Sequence, residues 1–176
     1  MDIEKIERLV NGFRKAIEKA RDNDTFVDFI PFSNFPNSSC GFACDLLAQY
    51  LLENDIQTEY VSGMYMYDNM KFYSHAWLEI NSTILIDITA DQFITNSLFN
   101  KYGFQPCYIG LKTPFYELFE IETRSTFDGL ENVRRTGITN LRKIYLDILK
   151  FIDWIGYKIF GGFLIKLNYV CVIINS

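Results

Sequence analysis

Apolar residues recur at helical spacing near the N-terminus. Ile3, Ile6, Leu9, Phe13 and Ile17 form one stripe, with Glu4, Lys5, Glu7, Arg8 and Lys15 between them. That period predicts an amphipathic helix over 3–20, packed on the core along its stripe and solvated on its far side. Arg21-Asp22-Asn23-Asp24 ends it. Thr25 to Pro36 is aromatic and irregular, because Pro31 and Pro36 exclude a continuous helix. A second stripe, Phe42, Leu46, Leu47, Tyr50 and Leu51, predicts a helix from Gly41 to Glu53. Asn37-Ser38-Ser39 offers N-cap side chains just ahead of Cys40. The breadth of this stripe marks the central helix.

The period then becomes extended. Thr58 to Tyr67, Lys71 to Ile80 and Ile84 to Thr89 read as strands, with turns at Asp68-Asn69 and Asn81-Ser82-Thr83. Pro106 to Ile109 reads as a further strand, and Phe115 to Ile121 suits helix or strand. A helix followed by an antiparallel meander predicts an α+β fold. Residues 123–137 are polar and read as a loop or linker after a core over 1–122. Leu141, Ile144, Tyr145, Ile148, Leu149 and Ile152 form another helical stripe, opening a C-terminal helical, apolar appendage over 138–176. From Phe151 onward the chain is very apolar, yet Asp153, Lys158 and Lys166 interrupt it and Gly161-Gly162 breaks it. No stretch reaches the roughly 18 uncharged apolar residues of a spanning helix. A packed or interfacial segment is expected, able to contact a membrane surface or a protein.

Composition narrows the function classes. At 176 residues, 49% of them hydrophobic, the chain is long enough to bury one substantial core. A net charge of −5 without a run of Lys or Arg argues against a nucleic-acid backbone as main ligand. The start, Met1-Asp2-Ile3-Glu4-Lys5, has no signal-peptide pattern, so the 4 cysteines are expected as thiols in a reducing, cytoplasmic setting. There is no phosphate loop and no dinucleotide fingerprint, and no cofactor is expected.

The chemistry-bearing residues fall in three short stretches: Ser38-Ser39-Cys40-Gly41, Ser74-His75-Ala76-Trp77 and Ile86-Asp87-Ile88-Thr89. Cys40 sits where a helix begins, and a helix N-terminus favours a thiolate. It reads as a nucleophile or as a small buried hydrophobe. Cys44, one turn further in, suits packing better, and Cys107 and Cys171 read as core. His75 is the only histidine, hence the base of any Cys-His mechanism. A three-residue loop at Asn81-Ser82-Thr83 would pair Trp77 with Asp87 and make His75 and Asp87 diagonal neighbours on one face. A two-residue loop would part them. The other reading is a core histidine and an aspartate capping the next turn. Asp91 is a second candidate carboxylate. Asn34 and Asn37 are candidate oxyanion donors or simply turn residues. Cys40, Cys44, Cys107 and His75 would make a Cys3His zinc set, but no close C-x2-C pair is present and no metal is expected.

The run Phe35-Pro36-Asn37-Ser38-Ser39-Cys40-Gly41-Phe42-Ala43-Cys44-Asp45-Leu46-Leu47 resembles the nucleophile helix of the papain-like and transglutaminase-like cysteine enzymes, and more closely a bacterial branch of them. Ser74 to Ile80, Ile86 to Phe93 and Pro106 to Gly110 are similar to later segments of that branch. The resemblance covers roughly 30–120. It implies a nucleophile helix packed on an antiparallel sheet, with Cys40 as nucleophile, His75 as base and then acid, and Asp87 as orienter. It implies acyl transfer on a peptide or protein amide. No Gln stands before Cys40, so the family's oxyanion donor does not carry over. A non-catalytic binding module that keeps the fold is the alternative.

Overall fold

The first helix begins at a cap. The Asp2 side chain accepts the Lys5 backbone N–H at 3.0 Å, one of the first-turn donors that no helical carbonyl reaches. From there α1 (Ile3–Asp22) buries Ile6, Val10, Phe13, Ala16, Ile17 and Ala20. The structure, a computed structural model, describes residues 2–68, 70–133, 140–152, 157–160 and 163–166. The stretch expected to be irregular contains a one-turn helix, α2 (Ile30–Ser33), with Pro31 in its first turn, where a missing N–H is tolerated. Next comes α3 (Cys40–Leu52), buried continuously from Ala43 to Leu51. The expected serine cap is replaced by a turn. Ser39 Oγ donates back to the Pro36 carbonyl at 2.7 Å and caps no helical amide.

Five antiparallel strands form the sheet: β1 (Glu59–Asp68), β2 (Lys71–Ile80), β3 (Ile84–Asp87), β4 (Tyr108–Gly110) and β5 (Glu120–Thr126), in the order β4-β3-β2-β1-β5. The fold is α+β. Alternation along β2 sends neighbouring residues to opposite layers. Ala76, Leu78 and Ile80 join α1 and α3 in one apolar cluster. Trp77 joins Val61, Leu85, Phe93, Phe99, Phe115, Tyr116 and Phe119 in a second, largely aromatic one. Leu78 pairs with Ile86 and Ile80 with Ile84, the register of the three-residue loop. Asn81 and Ser82 both take left-handed φ values, 50° and 52°, to close it.

Several boundaries differ from those the pattern predicts. The strand expected through Thr89 stops at Asp87, and that expected from Pro106 starts at Tyr108. Phe115 to Ile121 divides into α4 (Pro114–Glu117) and the start of β5. Thr123 to Thr126 belongs to β5 and not to a loop, so the division after residue 122 cuts a strand. Helix α5 (Leu141–Leu149), expected in an appendage, packs on α1 instead. Its Tyr145 ring lies 6.3 Å from Phe13, and the Tyr145 hydroxyl donates to Glu53 at 2.7 Å. A hairpin of β6 (Tyr157–Phe160) and β7 (Phe163–Lys166) follows. Asn69, Cys171 and the surface role expected for the apolar tail lie outside the described residues. Among the described residues no helix is long and apolar enough to cross a membrane.

Since Tyr145 is fully buried between α1 and α3, Tyr145→Ala is expected to lower the unfolding free energy by about 3–5 kcal/mol in urea titration. A detached α5 would give no change.

Candidate active site

Strand β3 ends because Asp87 turns the chain. Its Oδ1 accepts both the Thr89 N–H at 2.8 Å and the Thr89 hydroxyl at 3.0 Å, a local bond set that competes with the ladder. The other oxygen is turned toward β2. His75 Nε2 and Asp87 Oδ2 are 2.6 Å apart, and both side chains are fully buried. Tyr116 donates its hydroxyl to the same Oδ2 at 3.0 Å. The two readings of Asp87, turn former and histidine partner, are therefore both realised, one oxygen for each.

His75 lies in the aromatic layer. Its ring is 5.1 Å from Phe93 and 5.8 Å from Phe119, edge-on or tilted to each. Across the ladder stands Gly63, where an added Cβ would meet the Glu120 carbonyl at 2.6 Å and Phe119 Cβ at 3.0 Å. The missing side chain lets Phe119 pack under the histidine. Cys40 comes from the other layer, packing against the helical cluster. The β2–β3 ladder runs only from Leu78 to Ile80. Past its end, the Cys40 thiol forms hydrogen bonds with the His75 ring and with the Ala76 backbone. Nε2 of the ring is committed to Asp87, and Gln92 Nε2 lies 3.3 Å from the other nitrogen, Nδ1.

Electrostatics follow from this arrangement. Burial opposes charge on all three groups, and their mutual contacts outweigh it. Burial works to lower His75, but the Asp87 charge and hydrogen bond, with help from Cys40, raise it to about 10. Asp87 is held below its ordinary range by His75 and by the two Thr89 bonds, against burial. Burial also works to raise the Cys40 thiol, and the His75 hydrogen bond and charge bring it below the ordinary value. Together these directions favour the thiolate–imidazolium form of the Cys40–His75 pair over its neutral form. Cys107, without such a partner, is pushed up to about 12 by burial. Cys44 is buried in α3.

The remaining candidates lie elsewhere. Asn34 and Asn37 are exposed, joined by an Asn37 N–H to Asn34 carbonyl bond of 2.8 Å. Among the described residues no hydrogen bond links either side chain to Cys40 or His75. Asp91 turns away from His75 and pairs with Arg14, at 2.9 and 2.8 Å. Among the described residues no group of three or more His, Cys, Asp or Glu is arranged to hold a metal ion. Three contributors escape the sequence reading. Tyr116 braces Asp87, and Gln92, in the turn after Thr89, places Nε2 3.3 Å from His75 Nδ1. Arg14 is the third. Buried on α1, it donates to the carbonyls of Ile88 and Pro106 as well as to Asp91 and Glu18, fixing the segment that follows Asp87. Only Gln92 carried a signal, as a polar side chain close after Asp87.

The raised His75 value gives a signed expectation. Its stabilising contribution is complete below 6.5 and is lost as pH rises through about 10. His75 is the only histidine, so its ring proton resonances report this directly. In the native protein they are expected to titrate only near pH 10. In Asp87→Asn they titrate at lower pH, because burial is then opposed by the thiolate alone, and stability at neutral pH falls by about 3–5 kcal/mol.

No family model, curated protein or solved structure matches this chain. What the site does is read from its own geometry.

Proposed function

We propose that the chain is a thiol-dependent acyl-transfer enzyme, with Cys40 as nucleophile, His75 as general base and acid, and Asp87 as orienter. The observation that carries this is the fully buried His75–Asp87 pair beside a thiol that the histidine brings below its ordinary value. A structural cysteine has no need of that setting. The helix on an antiparallel sheet, with Cys40 as its first residue, agrees with a papain-like or transglutaminase-like core.

In the reaction the Cys40 thiolate attacks an amide carbonyl of a peptide or protein. The C–S bond forms as the carbonyl π pair moves onto oxygen. The Cys40 backbone N–H, in the first turn of α3, faces no helical acceptor and stabilises that oxyanion. Collapse expels the amine, which takes a proton from His75. Neutral His75 then removes a proton from the incoming water or amine, which releases the acyl group as acid or as a new amide. Asp87 stays ionised throughout and holds the ring by Nε2. The acidic balance of the chain, −5, disfavours polyanionic substrates and fits a peptide or protein amide.

Alkylation by iodoacetamide against pH, mapped to each cysteine by mass spectrometry, tests the pair. Cys40 is expected to react with a midpoint below an ordinary thiol, while Cys107 stays inert. His75→Ala is expected to slow Cys40 at neutral pH by about 10²-fold, in line with loss of a positioned base. An ordinary midpoint for Cys40, unchanged in His75→Ala, would refute the mechanism and leave a binding module as the better description.

A further inference from the structure

We infer that the substrate is a peptide segment pairing an apolar side chain with a Lys or Arg, held on the open end of the sheet beside Cys40. The assignment rests on the acyl-transfer reading above. Cover over the sheet stops at the site. Along β2 every residue from His75 to Ile80 is buried, whereas Ser74, Phe72 and Lys71 are exposed. Even-numbered β2 residues face the helices, as Ala76, Leu78 and Ile80 do. Ser74 and Phe72 continue that face past the start of α3, where the Cys40 thiol bonds to the Ala76 backbone. The register sets Met64 opposite Ser74 and Met66 opposite Phe72, so these side chains share the Cys40 side. Phe72 is 56% exposed and Met66 62%, an apolar surface left bare where the helical layer ends.

A pocket adjoins this surface. Strand β5 pairs with β1 only as far as Met64, so among the described residues no strand lies along the β1 edge from Tyr65 onward. There Met64, Met66, Leu118 and Ile121, with Glu120 and Glu122, line a pocket of about 460 Å³. Glu120 stands opposite Met64 and therefore on the Cys40 side. Glu122 is the extra residue where the β1–β5 register shifts, between Ile121 opposite Gly63 and Thr123 opposite Ser62. Among the described residues neither carboxylate takes part in an ion pair. The β5 cation, Arg124, lies opposite Val61 on the other face and bridges Glu59 and Glu79.

Apolarity and charge together name the occupant. A Lys or Arg lays its methylene stem along the methionines and sets its cation at the glutamates. A neighbouring apolar side chain rests on Phe72 and Met66, and thioether side chains adapt to its shape. An acidic segment meets like charge and is rejected. The open β1 edge offers main-chain partners to an extended peptide. A strand rises about 3.3 Å per residue, so Phe72 lies roughly 13 Å from Ala76. About four extended residues span that distance and carry an amide bond to the Cys40 sulfur.

Peptides ending in a chloroacetyl group, joined by glycine linkers of increasing length to Phe-Lys or to Phe-Glu, test the surface through alkylation of Cys40. Each rate is divided by that of iodoacetamide, which needs no docking. The native protein is expected to favour the best Phe-Lys probe over its Phe-Glu counterpart on the order of tenfold at low salt. The preference is expected to fall below about twofold in Glu120→Gln/Glu122→Gln, and likewise in about 1 M salt. Equal rates for both probes at every linker length would overturn the assignment. So would a preference that survives both glutamine substitutions. A dimer in sedimentation that Met66→Asp dissociates would seat a second copy on this face and overturn it as well. Should Cys40 react with iodoacetamide as an ordinary thiol, the acyl-transfer reading fails whatever the ratio, and the substrate assignment falls with it.

Discussion

A carboxylate and an imidazolium held 2.6 Å apart, with no solvent on either side chain, is the constraint around which the rest of the molecule is arranged. Removing two charges from water costs several kcal/mol for each, and their attraction offsets this only if every remaining lone pair and proton is satisfied. Asp87 meets that condition with four bonds: two from Thr89, one from Tyr116 and one from His75. His75 meets it through Asp87 and the Cys40 thiol. Taking away any partner leaves a charge stranded among Trp77, Phe93, Phe115 and Phe119. Those rings exclude the water that would otherwise screen the pair. They also keep the imidazolium's charge available to the thiolate.

The same demand explains the placement of α1. A surface helix needs an apolar stripe and nothing more, yet α1 carries a buried arginine on its core-facing side. Arg14 reaches across to Ile88, Asp91 and Pro106 and stacks over the Phe35 ring at 4.6 Å. It thereby ties together the two segments that flank the site, the turn before α3 and the turn after β3. Every guanidinium edge is used, which is what permits an arginine to be buried.

Much of this could be read from the chain before any coordinates. The α1 and α3 stripes are strong because each helix buries a wide face. The Asn81-Ser82-Thr83 turn sets the register, and the register puts His75 and Asp87 on one side. What the pattern hid has a common cause. Strand β5 is exposed at every position, so it has no alternation of burial. It is held by β1 and by Arg124, which bridges Glu59 and Glu79 at 2.9 and 2.8 Å. Tyr145 was visible as part of a helical stripe, but not that the stripe packs on α1. Arg14, Tyr116 and Gln92 act across elements far apart in sequence, and no local period records such contacts. The serine cap failed for a local reason, since Ser39 finds a better acceptor in the Pro36 carbonyl.

Cys40 and Cys107 show why burial alone does not rank thiols. Both are partly buried, both are thiols, and both feel a cation, His75 in one case and Arg14 in the other. Burial pushes each one up. For Cys107 the Arg14 charge acts at a distance while the nearby carboxylates, Glu18 among them, work against it, so burial wins. For Cys40 the cation is a hydrogen-bond donor in direct contact, and the Ala76 backbone adds a second bond, so burial loses. The difference lies in contact. A charge that also bonds to sulfur stabilises the thiolate without an intervening low-dielectric gap, whereas a cation already paired to carboxylates has little field to spare.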